Sequence, residues 1–133
     1  MAELFSDEWM NKLKEAWNAD SEITEKLGSI DFNSTIACGF KSDENPTGVF
    51  VVEKGVCTHA GSWNGETADW DMRADEANWA KWQKKPLGMT SMGMAVATGK
   101  LKFNAGDFGA MIKNPTMAGP FIKSFSLMAE ISK

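Results

Sequence analysis

Between residues 32 and 73 the hydrophobic pattern has a period of two, and this alternation constrains the fold more than any other feature. Four short runs are typical of strands, residues 32–41, 48–53, 56–63 and 67–73: side chains alternate along the first and the last, and Val49 to Val52 form a β-branched run. The last two runs are joined by Asn64-Gly65, a dipeptide typical of a β-hairpin because both residues tolerate positive φ. We therefore predict a four-stranded antiparallel meander with one apolar and one polar face.

Helical signals flank this meander on both sides. Ser6 can cap a helix that carries Trp9, Leu13 and Trp17 on one face, and either Asp20 or Ser21 can begin a short second helix. After the meander the pattern predicts a helix capped by Asp75, a helix over residues 87–99, a fifth strand over 100–104, a short helix capped by Asp107, and a last helix opened by Gly119-Pro120. The fold class is therefore α+β, a five-stranded, mainly antiparallel sheet with helices over one face.

Size and charge exclude several classes of protein. The 133 residues fit one domain, over residues 1–133, and the net charge is −4. Nucleic-acid binding needs clustered cations, and the only dense group is Lys81, Lys84 and Lys85, so we expect no nucleic-acid partner. No run approaches the ~20 apolar residues that span a bilayer. The acidic start does not resemble a signal peptide, so we expect a cytoplasmic protein with reduced thiols.

The chain offers little for catalysis or metal binding. Two cysteines and one histidine supply at most three of the four ligands that structural zinc requires. Cys57 and His59 lie two apart in a predicted strand, which places them on one face, but with backbones ~6.5–7 Å apart. Asp69 and Asp71 fall on the polar face, where we expect them to be solvated. We predict no catalytic residue, no metal and no cofactor, which makes an enzyme using Cys57 and His59 the least favoured function.

The large apolar side chains are unusual in kind, with nine Met, six Trp, eight Phe and no Tyr. Methionine adapts to irregular surfaces and recurs where binding is promiscuous. The predicted helix over residues 87–99 is interrupted by Gly88 and Gly93, and its only hydroxyl pair is Thr90-Ser91. The composition leaves two interpretations open, a methionine-rich core or the wall of an apolar cavity.

Two segments resemble the sterol carrier protein 2 family. Residues 97–107, Ala-Thr-Gly-Lys-Leu-Lys-Phe-Asn-Ala-Gly-Asp, are similar to the family's approach to its last strand and the short helix that follows. Residues 68–75 look like its fourth strand running into an Asp-capped helix, and the predicted order of elements agrees along nearly the whole chain. The resemblance implies a stand-alone, bacterial-type member whose sheet and helices enclose an apolar tunnel.

The resemblance also implies a function, since members of this family bind fatty acids, fatty acyl-CoA, sterols and other lipids. We expect non-enzymatic lipid binding and transfer, by a monomer or homodimer that touches membranes only transiently. The alternative is an accessory or dimerisation module that presents a hydrophobic substrate to a partner enzyme. Carried over by position, the ligand-binding wall comprises Trp79, Trp82, Met89, Met92, Val96, Phe103, Phe108, Met111, Ile112, Phe121 and Phe125.

Overall fold

A five-stranded sheet and six helices make up residues 4–132, the part of the chain that our computed structural model describes. The helices are α1 (Asp7–Ala19), α2 (Ser21–Ser29), α3 (Glu76–Lys84), α4 (Met89–Ala97), α5 (Phe108–Ile112) and α6 (Pro115–Ile131). The strands are β1 (Ser34–Phe40), β2 (Gly48–Glu53), β3 (Val56–Ser62), β4 (Trp70–Ala74) and β5 (Leu101–Ala105). The predicted α+β class is confirmed, with helices placed before, between and after the strands.

The sheet is mixed, which corrects the prediction of a mainly antiparallel one. Its strand order is β3-β2-β1-β4-β5, so β4 lies beside β1 rather than beside β3. The β1–β4 pair is parallel, with Ile36 opposite Trp70 and Cys38 opposite Met72. The other three pairs, β1–β2, β2–β3 and β4–β5, are antiparallel. The predicted four-stranded meander therefore ends after its third strand.

The predicted hairpin at Asn64-Gly65 is wrong, although the local turn chemistry is correct. Gly65 does take a positive φ of 95°, but it lies in the loop that leaves β3 and passes two strands to reach β4. A turn signal describes only its own backbone, whereas strand pairing depends on where the apolar side chains are buried. In the centre of the sheet, Met72 becomes 1 % exposed beside the fully buried Cys38.

The helices pack against the sheet face that carries Ile36, Phe50 and Met72. The α1 ring of Trp17 lies 5.4 Å from that of Phe50 on β2. Helix α6 packs on α1, α2, α3 and α5, and its Phe121 ring lies 6.4 Å from that of Trp70 on β4. A single buried cluster fills the space between this layer and the sheet.

The capping side chains of α1 and α2 are among those that the sequence predicts, whereas Asp75 makes no side-chain capping hydrogen bond to α3, and α6 begins earlier than predicted. Ser6 and Asp20 accept hydrogen bonds from the backbone N–H groups of Trp9 and Ile23, as the capping residues of α1 and α2. Helix α6 begins at Pro115 instead of at Gly119-Pro120. Asn114 caps it by accepting from the N–H of Thr116, and a proline at the first helical position leaves no hydrogen bond unmade. Pro120 consequently lies inside the helix.

One charged side chain on the second face of the sheet is buried, contrary to the expectation of a solvated polar face. Arg73 is 2 % exposed and forms a two-point ion pair with Asp71, with Nε–Oδ1 and Nη2–Oδ2 distances of 2.6 and 3.0 Å. Its guanidinium also donates to the carbonyl oxygens of Phe40, Asp43 and Glu44. These bonds fasten the loop after β1 over this face, so the buried Arg73 side chain fixes an exposed turn. Asp69 accepts a hydrogen bond from the N–H of Thr35.

Candidate functional site

An entirely apolar cavity lies between the sheet and the helical layer. Its walls come from both ends of the chain, since α1, α2, the segment after α2, β1, β4, α5 and α6 all contribute. We call it the apolar cavity, and its lining residues are Trp17, Leu27, Phe32, Ile36, Trp70, Met111, Met117 and Phe121. A site of this composition can bind hydrocarbon by the hydrophobic effect, and its lining supplies no acid, base or nucleophile.

The floor of the cavity is set by the parallel pairing of β1 and β4. This pairing places Ile36 directly beside Trp70, so both side chains point towards the helices. The indole of Trp70 lies over Gly106, which has a φ of 100°, and an added Cβ there would overlap the ring. Gly106 is therefore required both by its backbone conformation and by the close approach of Trp70.

An aromatic cluster extends from this floor towards the short helix α5 and the start of α6. The Phe103 ring centroid lies 6.0 Å from that of Trp70, 5.4 Å from that of Phe108 and 6.0 Å from that of Phe121. These rings connect β4, β5, α5 and α6 through tilted and edge-on contacts. Phe103, Phe108 and Phe121 are only partly buried, so this side of the cavity is close to solvent.

The cavity is narrow in this structure. Its free space is about 30 Å³, room for about two water molecules. An alkyl chain does not fit into this volume, so a ligand must displace part of the wall. Side chains of Met111 and Met117 form that wall on α5 and α6, and methionine changes rotamer more easily than branched or aromatic residues.

Ion pairs hold α6 against α2 beside the cavity. Lys123 Nζ lies 2.8 Å from Glu22 Oε2 and 3.1 Å from Asp20 Oδ2. The hydrogen bond from Lys123 lowers the pKa of the Glu22 carboxyl, with a smaller contribution from Lys26. Lys123 and Glu22 are 40 % and 52 % exposed, so their pair positions the helices more than it stabilises the fold.

The sequence-predicted ligand-binding residues divide into separate groups. Met111 and Phe121 line the apolar cavity, Phe103 and Phe108 lie in the adjoining aromatic cluster, and the half-buried Ile112 ends α5. Trp79, Trp82 and Phe125 belong to a second, more tightly filled region. Its free space is about 10 Å³, and its other lining residues are Leu4, Trp9, Gln83 and Met128.

The second region has the character of a packed core. The Trp79 ring lies 5.3 Å from Trp82 and 6.2 Å from Phe125, and its indole N–H donates to the carbonyl of Gly39. On α4, Met92 is fully buried and Val96 is partly buried, and Met89 is the first residue of the helix. The structure thus places Trp79, Met92 and Val96 beyond the lining of the apolar cavity.

Six lining residues were not among the sequence-predicted set: Trp17, Leu27, Phe32, Ile36, Trp70 and Met117. The periodicity did place Trp17 on the core face of its helix, and Phe32 and Ile36 on one side of their strand. It could not separate core residues from cavity residues, because both classes are apolar and inward-facing. The parallel β1–β4 pairing was the missing information, since it brings Trp70 to Ile36.

Cys57 and His59 do not form a catalytic pair. A bulge in β3 makes Cys57 the partner of Val52 and His59 the partner of Val51, two consecutive residues that face opposite sides of the sheet. The thiol is buried and donates to the carbonyl of His59, whereas the His59 side chain is exposed. Burial raises the pKa of the Cys57 thiol to about 11, so at neutral pH it is not a nucleophile. The pKa of Cys38 is also raised by burial.

Metal-binding clusters and membrane-spanning helices are both absent from the described part of the chain. Across residues 4–132 no group of three His, Cys, Asp or Glu side chains comes together in a way that could hold a metal ion. In the same range no helix is long and apolar enough to cross a membrane.

Comparison with solved structures gives a consistent answer for the fold. A crystal structure of sterol carrier protein 2 superposes with a TM-score of 0.76, covering 96 % of this chain and 98 % of the other at 21 % identity. The chain has the sterol carrier protein 2 fold. The resemblance seen in the sequence is thereby confirmed at the level of the fold.

Other proteins with the sterol carrier protein 2 fold are also similar. A solution structure of a conserved hypothetical protein from Thermus thermophilus gives a TM-score of 0.66 at 19 % identity, covering 98 % of this chain and 87 % of the other. A ubiquinone synthesis protein, UbiJ-SCP2, gives 0.57 at 12 % identity, with coverages of 90 % and 86 %. By sequence, no family model and no curated protein matches the chain.

Proposed function

We propose that the chain is a non-enzymatic carrier that binds a lipid, such as a fatty acid, fatty acyl-CoA or sterol, in the apolar cavity. The observation that carries this proposal is a cavity with an all-apolar lining, placed between sheet and helices in a sterol carrier protein 2 fold. Burial of each CH₂ group contributes about 0.8 kcal/mol, so a long alkyl chain can reach micromolar affinity without polar recognition. Residues 1–133 act as a single lipid-binding domain, and the free thiols agree with a cytoplasmic location.

Entry of the ligand requires the cavity to expand at α5 and the first turns of α6. This wall consists of a five-residue helix, two flexible methionines and a helix interrupted by proline. The sheet side cannot yield in the same way, because Ile36 and Trp70 belong to paired central strands. Phe103 and Phe108 adjoin the wall, so we include them with Met111, Ile112 and Phe121 in the expanded site.

The direct test is a titration of delipidated protein with a fluorescent fatty acid, read by energy transfer from tryptophan. Trp70 lines the apolar cavity, whereas Trp82 lines the second, packed region. We expect saturable binding, with a larger loss of energy transfer in Trp70→Phe than in the matched Trp82→Phe variant. Absence of saturable binding at tens of micromolar lipid would contradict the proposal.

A second candidate function is that of an accessory module that presents an apolar substrate to an enzyme. The observation in its favour is the similarity of fold to a protein described as a ubiquinone synthesis protein. This function uses the same cavity but adds a stable protein partner or a homodimer. Analytical ultracentrifugation of the purified protein, alone and with lipid, separates a monomeric carrier from a dimerising module.

A further inference from the structure

One segment of the chain carries positive charges and no negative ones. Residues 77–106 contain five lysines and no acidic residue, whereas the rest of the chain has nine basic against eighteen acidic residues. All five side chains are exposed: Lys81, Lys84, Lys85, Lys100 and Lys102. Lys41 adds a cation at the same end of the sheet, where its Nζ donates to the carbonyl of Gly99. An overall acidic protein thus has one basic region.

Helix α4 lies in the middle of this basic region and carries no charge. Its sequence, Met-Thr-Ser-Met-Gly-Met-Ala-Val-Ala, is apolar apart from two hydroxyls. Met92 and Ala95 face the core, but Met94 is 60 % exposed, the largest exposed fraction among the large apolar side chains that the structure describes. Packing within the described part of the chain leaves most of this side chain uncovered, so Met94 is available to an external partner.

A groove runs along α4 and combines both properties. It has a volume of about 300 Å³ and a mainly apolar lining that also includes two hydroxyls and one cation: Trp82, Leu87, Ser91, Met94, Ala95, Thr98 and Lys100. Lys84 and Lys85 immediately precede Pro86 and the lining residue Leu87 in the chain. An apolar centre with a cationic edge is complementary to a surface that offers acyl chains beneath anionic headgroups.

We propose that α4 and its flanking lysines dock the protein on an anionic lipid bilayer, with Met94 inserted among the acyl chains. The proposal deepens the proposed function and rests on it, because a lipid carrier must reach the bilayer that holds its cargo. Met94 supplies a short-range apolar contact with the acyl chains. Each flanking lysine adds a salt-sensitive attraction to the anionic headgroups. Such docking is reversible, because one inserted side chain is far from a membrane anchor.

The test is cosedimentation of the ligand-free protein with vesicles, at low and at high salt. The vesicles contain phosphatidylcholine alone or phosphatidylcholine mixed with phosphatidylglycerol. We expect binding only to the mixed vesicles and its loss at high salt. Equal binding to neutral vesicles would overturn the proposal. Absence of binding to either kind of vesicle would also overturn it, and an acidic protein would then be the expected partner of this surface.

Matched variants locate the contact. Met94→Asp removes the inserted side chain, and Ile30→Asp is its control because Ile30 is also an exposed apolar residue, at 41 %. Lys84→Gln/Lys85→Gln should weaken binding about tenfold or more, whereas Lys12→Gln/Lys113→Gln, with the same change in net charge, should not. Equal losses in a variant and its control would overturn the assignment to α4.

Fatty-acid binding in vesicle-free solution separates this proposal from the proposed function. Met94→Asp and the lysine variant should bind a fluorescent fatty acid like the unmodified protein, because none of these residues lines the apolar cavity. Vesicle docking without any fatty-acid binding would refute the carrier function while supporting the docking surface. Fatty-acid binding without vesicle docking would refute the docking surface alone.

Discussion

At the scale of single residues, the polar groups that contribute most to the stability of the fold are buried and hydrogen-bonded to fixed partners. Arg73 is enclosed by Asp71 and three carbonyl oxygens, so all its donors are engaged within the protein. This arrangement makes it a structural residue, although its position in an alternating strand suggested a solvated one. By contrast, the Lys26–Glu22 pair on α2 is half exposed on both sides.

We expect Asp71→Ala to lower the free energy of unfolding by about 3 kcal/mol, because it leaves a buried guanidinium without its carboxylate. Lys26→Ala is the control, with an expected change below about 0.5 kcal/mol for an exposed pair on one helix. Urea unfolding followed by tryptophan fluorescence measures both. A change in Asp71→Ala as small as that of the control would contradict the structural role.

The buried thiol of Cys57 gives a pH-dependent prediction. Its pKa is raised in the folded protein from 9.0 to about 11, so the folded state retains a proton that the unfolded state releases. The stability that this proton contributes is complete below pH 9 and is lost as pH rises to about 11.

Thiol labelling tests this shift in a Cys38→Ala background, where Cys57 is the only cysteine. Native Cys57 should react slowly with iodoacetamide at pH 8 and faster as pH approaches 11, while the urea-unfolded protein should react readily near pH 9. Rapid labelling of the native protein at neutral pH would restore Cys57 as a candidate nucleophile.

At the scale of elements, the proline inside α6 interrupts the helix at the wall of the apolar cavity. Pro120 has no N–H to donate to the carbonyl four residues earlier, so the turn that contains Met117 lacks one backbone hydrogen bond. The same turn forms part of the cavity wall. A weakened first section of α6 is therefore located where ligand entry requires movement.

We expect Pro120→Ala to slow amide hydrogen exchange in residues 116–121, because a complete helix resists local opening. Ligand binding should become slower in the same variant. Pro115→Ala is the matched control, since a proline at the first helical position removes no hydrogen bond. Unchanged exchange in Pro120→Ala would show that the wall does not open at this turn.

The elements themselves were largely predictable from the sequence, and their pairing was not. Periodicity located β1, β2 and β3, and the side chains of Ser6, Asp20 and Asp107 cap their helices as predicted. These features depend on neighbours within a few residues. The place of β4 beside β1 depends on residues more than thirty positions apart, and the cavity depends on that placement. The alternation of residues around Trp70 predicts that its side chain points inward. It does not predict that Ile36 lies beside it.

At the scale of the whole molecule, the narrow apolar cavity links ligand binding to stability. A ligand that binds only the folded state stabilises it by about 2.7 kcal/mol when present at about a hundred times its dissociation constant. For a domain of this size, that free energy raises the melting temperature by about 8–10 °C. Scanning calorimetry with a fatty acid should show this rise.

The Met117→Asp variant should lose the rise in melting temperature, because a charge in the apolar cavity opposes burial of hydrocarbon. Ile30→Asp places the same charge on an exposed position and should retain it. If both variants keep the full rise, the lipid binds elsewhere on the protein.

The parallel pairing of β1 with β4 also determines the order in which the sheet can form during synthesis. β1, β2 and β3 pair with their neighbours in the chain and can assemble as soon as residue 62 has left the ribosome. Until residue 74 follows, however, one side of β1 presents unpaired N–H and C=O groups next to buried residues such as Cys38. An open edge of this kind is a template for pairing with other chains. The nascent protein therefore has an open edge on β1 while residues 63–74 are emerging from the ribosome, and then an open edge on β4 until β5 has emerged and paired with it.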